Sequence, residues 1–516
     1  MANKALFGSR RDVALAETRN RAGGPAYRLS DRQALAQLAA TGCLNQTFYA
    51  DARTQLDELL IAASLVDPDF LAKTAIYTRR NGHMKDTPAV LLAALSAISP
   101  QHLSQAFPRV IDNGRMLRNF VQILRSGATG RKSLGTRPKK LVQNWLNKAS
   151  DDALLRASVG NTPALGDVIR MVHPKPASAE REAFFAWLLG KPCDVRLLPR
   201  AVRDYLAFRE NPAGAAVPSV PFQMLTSLQL TKKQWAKVAE RGGWQMVRMN
   251  LNTFLRHGVL DMPLTRRRIA ARLADAKEIA GARVFPYQLM AAWKHMAAGM
   301  PDEIREAVAD AMEIAVDNTP ELGGRVVVCP DVSGSMTMPV TGSRKGATST
   351  ITCMDVAALV TAAVLRKNPD ARVMPFDTQV RKVSIEPGDR VVDNAHALSW
   401  FYGGGTACSA PLVELNDEKA PADLVILISD NQSWADSTRT GGTPVMDQWV
   451  KLKRRCPQAK LVCLDIAPYG TTPAHERADV LNIGGFSDSV FEVIAAFAQN
   501  RLGPDHWVGE IEKVQL

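Results

Sequence analysis

The sequence predicts a multidomain fold: an all-α helical-repeat front over residues 1–320, then an α/β doubly wound parallel sheet over residues 321–516. Three observations carry this reading. Apolar residues recur with helical spacing up to about residue 318. Short β-branched runs alternate with helices after "DNTPELGG", Asp317 to Gly324. The charge changes sign at the same place: the first 320 residues hold 45 Lys+Arg against 28 Asp+Glu (+17), the remainder 19 against 23 (−4), giving the chain's +13.

The helices come first. "DRQALAQLAATG", "TQLDELLIAASL", "DFLAKTAIYTRRNG" and "AVLLAALSAI" place apolar residues at i, i+3, i+4 and i+7. "GRMLRNFVQILRSG", "KKLVQNWLNKAS", "GDVIRMVH" and "FPYQLMAAWKHMAAG" repeat the pattern, several of them ending at Gly, as helix C-termini prefer. Strand-like alternation is nearly absent. Short helices joined by short polar segments predict stacked pairs, each covering the apolar face of the last.

The sheet region follows. "RVVVCPD", "ARVMPFD", "ADLVILISDN" and "AKLVCLDIAP" read as strands; "MDVAALVTAAVLRK", "PVMDQWVKLKRR" and "DSVFEVIAAFAQN" read as helices between and after them. Continuous apolar strands separated by helices form a parallel sheet covered on both faces. Functional groups in such sheets collect at the carboxyl ends of the strands. Three oxygen-bearing stretches fall there. "DVSGS" supplies Asp331, Ser333 and Ser335, the Gly-rich "FYGGGTACS" supplies Thr406, and "VILISDN" supplies Asp430. Three hydroxyls and two carboxylates, without His or Cys, select a hard cation, Mg²⁺ first and Mn²⁺ second. So few carboxylates leave the ion able to accept an outside anionic oxygen. That chemistry is binding rather than turnover, and the loops offer no positioned His or Lys base for a metal-dependent hydrolase. Any one Ser or Asp after a strand is ordinarily a turn or capping residue; the combination carries the argument.

Composition excludes other classes. Hydrophobic content of 46% and charged content of 22% describe a globular chain. "MANKALFGSRRDVALAETRNR" has no apolar core expected of a secretory signal. The longest uncharged stretch, Thr87 to Pro108, is too polar for a membrane span. Seven dispersed cysteines without CxxC fit a reducing, cytoplasmic setting and no structural zinc. The +17 front predicts a polyanion partner. "RKSLGTRPKK" holds Arg131, Lys132, Arg137, Lys139 and Lys140 with no acid, and "LTRRRIAARL" holds Arg266, Arg267 and Arg268. With 6% aromatics and no RNP-like motif, shape and backbone recognition is the expected mode.

The order Asp331, Ser333, Ser335, Thr406, Asp430 matches the D-x-S-x-S … T … D metal-ion-dependent adhesion site of von Willebrand factor A domains. "APADLVILISDNQSW", "GGGTACSAPL", "ARVFPYQLMAAW" and "LNIGGF" extend the likeness. The chain resembles the Ro 60 kDa autoantigen family and its bacterial orthologues, which join a TROVE module to an A domain. That resemblance implies a ring of HEAT-like repeats completed by the A domain. It implies Y-like non-coding RNA on the basic outer surface and single-stranded ends of misfolded or precursor RNA in the central hole. It also implies exoribonuclease partners, no membrane, a monomeric protein and no catalysis. "KKLVQNWL" places Lys139 and Lys140 where the family has basic residues, with Trp145 read as core. "GDVIRMVHPKP" resembles "KDLLRLSHxKP", with Arg170, His173 and Lys175 matched; the family's further His is replaced by Leu165. The rival reading is an intracellular scaffold that captures carboxylates at the metal site.

Overall fold

The computed structural model describes residues 13–516 except 161, 214, 283, 285, 317–318, 345–350, 402, 437–440 and 504. Most of the stretch read for a leader, Met1–Asp12, therefore lies outside the described residues. So do Arg283 and Phe285 of "ARVFPYQLMAAW" and Tyr402 of "FYGGGTACS".

From Asp31 to Val316 the chain runs as successive helices with short joints. Their starts follow capping chemistry. Asp51 accepts from the Thr54 amide at 2.7 Å and Asp67 from the Phe70 amide at 2.9 Å. Ser30 with Gln33 and Thr231 with Gln234 form capping boxes. The uncharged stretch Thr87–Pro108 is two helices, Asp86–Ile98 and Pro100–Val110, broken at Ser99–Pro100. Thr87 through Ser96 are all buried, so this helix is apolar on every face because neighbours surround it.

The sheet has five parallel strands: β3 (Val326–Pro330), β4 (Arg372–Val373), β5 (Leu424–Ser429), β6 (Lys460–Asp465) and β8 (Val480–Gly484), in the order β4-β3-β5-β6-β8. Every residue of β3, β5, β6 and β8 is buried. Alternate residues face opposite layers. Val326 and Val328 join the core shared with the helical front, while Val327 and Cys329 pack with Leu412 and Trp449 on the other face. "ARVMPFD" keeps only two residues as strand, although the Met374 and Phe376 amides still donate to Val328 O and Pro330 O beside β3.

Three short strands were not legible in the front's periodicity or in the C-terminal loops. β1 (Thr18–Arg19) pairs with β2 (Pro25–Arg28), which pairs with β7 (Thr471–Thr472). The first residues described thus form a sheet with a loop of the C-terminal domain. Both ends of the helical run rest on that domain. Helix Asp31–Thr41 packs on β8, and helices Pro286–Lys294 and Asp302–Val316 pack on helices Cys353–Lys367 and Val391–Leu398. Ion pairs Arg366–Glu313 at 2.5 Å and Lys294–Asp355 at 2.5 Å fasten the second junction. The run of helices closes through the sheet domain into a ring.

Candidate metal centre and nucleic-acid interface

Strand order decides where the oxygen ligands meet. β3 and β5 are neighbours, while the chain leaves β3 toward β4 on one side and continues from β5 toward β6 on the other. The crevice at such a reversal, beyond the strand carboxyl ends, is where doubly wound sheets bind ligands. Asp331 follows β3 and Asp430 follows β5, so both carboxylates arrive there.

The five predicted oxygens are all buried: Asp331 and Ser333 at 0%, Thr406 at 1%, Asp430 at 2% and Ser335 at 6% exposure. Asp331 Oδ1 accepts from the Ser333 amide at 2.8 Å, and its Oδ2 accepts from the Ser429 hydroxyl. Ser333 Oγ and Ser335 Oγ lie 3.3 Å apart. The Asp430 carboxylate accepts from the Gln432 amide at 3.1 Å. The Gly-rich loop lies directly on the first loop, with the Gly334 amide donating to Gly404 O at 3.1 Å. A side chain at Gly403 would put its Cβ 2.1 Å from Val332 O, so this contact requires glycine. Thr406 is carried in on that loop.

Electrostatics explains what such a cluster accepts. Burial pushes both carboxyls above the usual aspartate range, and the charge of Asp430 pushes Asp331 further. Hydrogen bonds from Ser333, Ser429 and Ser335 offset this only in part. Two buried acids side by side, ringed by neutral hydroxyls, fit a hard divalent cation that supplies the missing positive charge. Among the described residues there is no cluster of three or more His, Cys, Asp or Glu placed to hold a metal.

The sequence reading missed Asp377, at the end of "ARVMPFD". It is 1% exposed and clamps the Gly-rich loop. Its carboxylate accepts from the Gly404 amide at 3.4 Å, and its carbonyl accepts from the Ala407 amide at 2.8 Å. Burial works to raise this carboxyl, but Arg381 and the Gln379 and Gly404 amides bring it below the usual value. Its place after a strand is a visible signal, and Arg381, its ion-pair partner, lies on the same loop.

The basic residues divide into groups. Helix Thr136–Lys148 and helix Leu165–Val172 are tied together: Gln143 Nε2 donates to Val172 O at 2.6 Å, and Asn147 Nδ2 to Lys175 O at 2.9 Å. This brings "RKSLGTRPKK" beside "HPKP". An open groove of about 760 Å³ is lined by Arg125, Lys132, Lys139, Lys140, Gln143 and Met171 among others, with no carboxylate. Lys132, Lys139 and Lys140 have no ion pair among the described residues. Arg137, His173 and Lys175 are exposed nearby in sequence. Arg131 instead turns inward, donating to Ser96 O. Arg170 pairs with Asp167 at 3.1 Å. Trp145 packs half-buried and donates to Ile111 O at 3.1 Å, and Leu165 is fully buried. The Arg266–Arg268 triplet separates. Arg266 pairs with Glu303 at 2.8 Å and Arg268 with Glu240 at 3.2 Å, leaving Arg267 exposed without an ion pair among the described residues. Arg125 was not foreseen because it belongs to a different helix, Gly114–Arg125.

Comparison with known proteins agrees with this architecture. Residues 325–498 match the sequence model of the Ro60 vWA domain. The chain is 26% identical over 521 residues to RNA-binding protein RO60 of Deinococcus radiodurans, covering 94% of this chain and 96% of that one. It is 23% identical over 248 residues to RNA-binding protein RO60 of Caenorhabditis elegans, covering 45% of this chain and 37% of that one. The crystal structure of the Deinococcus radiodurans RO (RSR) protein superposes with a TM-score of 0.61 at 22% identity, covering 92% of this chain and all of that one. The fold of the ring and its A domain is shared with it.

Proposed function

We propose, from the premise that this chain is a Ro-type ring closed by a Ro60-type von Willebrand factor A domain, that it is an RNA-binding protein of RNA quality control or maturation. The observation that carries the reading is the open groove lined by Arg125, Lys132, Lys139 and Lys140 without a carboxylate. Cations left unpaired on a concave surface release counterions when phosphates neutralise them. Y-like structured RNA binds on this outer surface, with His173, Lys175 and Arg137 extending the contact. Single-stranded ends of misfolded or precursor RNA enter the ring. A cavity of about 250 Å³ where the two ends of the helical run meet is lined by Arg79, His83 and Lys85 and supports that second role. The protein works as a cytoplasmic monomer, hands RNA to exoribonucleases, and binds rather than turns over its ligands. Asp331, Ser333, Ser335, Thr406 and Asp430 would hold Mg²⁺, which supplies positive charge between two buried acids. No described helix is long and apolar enough to cross a membrane.

The test is titration of a structured small RNA at several salt concentrations against the wild type, the Lys139→Glu/Lys140→Glu double variant and Asp331→Ala. The reading expects a steep salt dependence, a large loss in the double variant and none in Asp331→Ala. A flat salt response, or equal losses in both variants, overturns it.

A further inference from the structure

The segment 43–50 joins helices Asp31–Thr41 and Ala52–Leu65, so by sequence it belongs to the helical front. In space it lies across the metal edge of the sheet domain. Asn45 Nδ2 donates to Thr341 O at 2.7 Å. Gln46 and Ser343 exchange backbone hydrogen bonds of 3.1 and 2.7 Å. The Thr47 hydroxyl donates to Ala50 O at 2.9 Å and folds the segment into a turn. The turn is anchored on Tyr469: its hydroxyl accepts from the Tyr49 amide at 3.1 Å, and the two rings meet edge-on at 5.6 Å. Ala50 packs on Ala467 and Tyr469.

This seating sends the Tyr49 side chain toward the ligands. Its ring meets Tyr469, which lines a space shared with Ser335 and Asp430, and its phenol is pushed up to about 12, first by burial and then by the charge of Asp430, with smaller influences from Ser335 and Asp331. Thr47 and Phe48 of the turn, with Tyr469, line a cavity of about 10 Å³ that they share with Ser335 and Asp430. That is room for about one water-sized sphere and too little for a carboxylate on a side chain.

We infer that Tyr49 is a specificity-determining residue of the metal site: its phenol and the turn that carries it occupy the face from which an outside ligand would approach. The site is therefore closed to acidic groups of other macromolecules and takes only the ion and its waters. It joins the helical front to the sheet domain from within one chain. This rests on the metal reading above and argues against the rival in which the same site captures a partner's carboxylate.

The experiment uses the full chain, Mn²⁺ followed by its paramagnetic resonance, and a hexaglutamate peptide as the acidic probe. Wild type and Tyr49→Phe should bind Mn²⁺ without measurable Mn²⁺-dependent affinity for the peptide. Tyr49→Ala should gain that affinity by at least about tenfold, because the steric exclusion is removed. Wild type binding the peptide as tightly as Tyr49→Ala overturns the inference. A readout on unmodified protein guards against misfolding of the alanine variant: Mg²⁺ should slow amide exchange across 45–50, and unchanged exchange there also overturns it. Asp331→Ala tests the premise separately. Mn²⁺ binding that survives this substitution sinks the metal reading itself, whatever Tyr49 does.

Discussion

The lysine groove on the ring and the oxygen pocket on the sheet are electrostatic opposites. In the groove, Lys132 and Lys140 are exposed and Lys139 is half-buried, with no acid among the lining residues. In the pocket, Asp331 and Asp430 are buried with no Lys or Arg partner among the described residues. Exposed cations keep their water until a polyanion replaces it, so their affinity is set by salt. Buried acids have already lost their water, so their state is set by protons or by an ion that neutralises them. One chain thus carries two unmet charges that answer to different variables.

The largest expected effect is on the pocket. Gly403→Ala drives a Cβ to 2.1 Å from Val332 O. It should abolish divalent-ion binding, read by calorimetry with Mg²⁺, while the helical content seen by circular dichroism stays unchanged. Next comes the groove. Lys139→Glu/Lys140→Glu should weaken structured RNA by well over about tenfold at low salt and flatten the logarithmic salt slope by about two, one per lost phosphate contact. Filter binding over a salt series measures both.

The pH response should separate the two regions further. Asp331 and Asp430 have folded-state pKa values raised by burial. Such groups hold more protons folded than unfolded, so their contribution to stability is full at low pH and is lost as pH rises. Metal-free protein should lose thermal stability as pH climbs from the ordinary aspartate range, about 4, toward neutrality. Mg²⁺ should restore it, and the restoration should vanish in Asp331→Ala. Groove affinity, measured over the same range, gives the comparison.

The smallest effect distinguishes neighbours in one triplet. Arg266→Ala removes an ion pair to Glu303 and a hydrogen bond to Leu260 O, so it should lower stability by about 1 kcal/mol. Arg267→Ala should leave the melting temperature alone and lower RNA affinity slightly, about one phosphate contact. Paired melting and binding curves resolve the two.

Legibility in the sequence followed the range of the interactions. The β-branched runs and the D-x-S-x-S spacing are local, and they located β3, β5, β6 and the five oxygens without help from the rest of the chain. The helical rhythm is equally local. By contrast, Tyr49 reaches Tyr469, and Pro25–Arg28 reaches Thr471–Thr472, across hundreds of residues. Nothing in "TFYA" or "GPAYR" marks such a partner. The Arg266–Arg268 run shows another limit: consecutive helix residues point about 100° apart, so a cluster in text need not be a cluster in space. In "RKSLGTRPKK" the three lysines stayed together, because they sit on one helix and its preceding loop, while Arg131 turned inward.

The pairing of β2 with β7 sets the order in which this molecule can be completed. Residues near position 25 are synthesised well before their strand neighbour at Thr471–Thr472, and Arg32 well before its partner Glu512. That segment must wait without its β7 partner through the synthesis of the hundreds of residues between them. Shortening the chain by its final helix, or severing it near residue 320, would strand those early residues without their docking surface. The β2–β7 pairing thus awaits the synthesis of Thr471–Thr472.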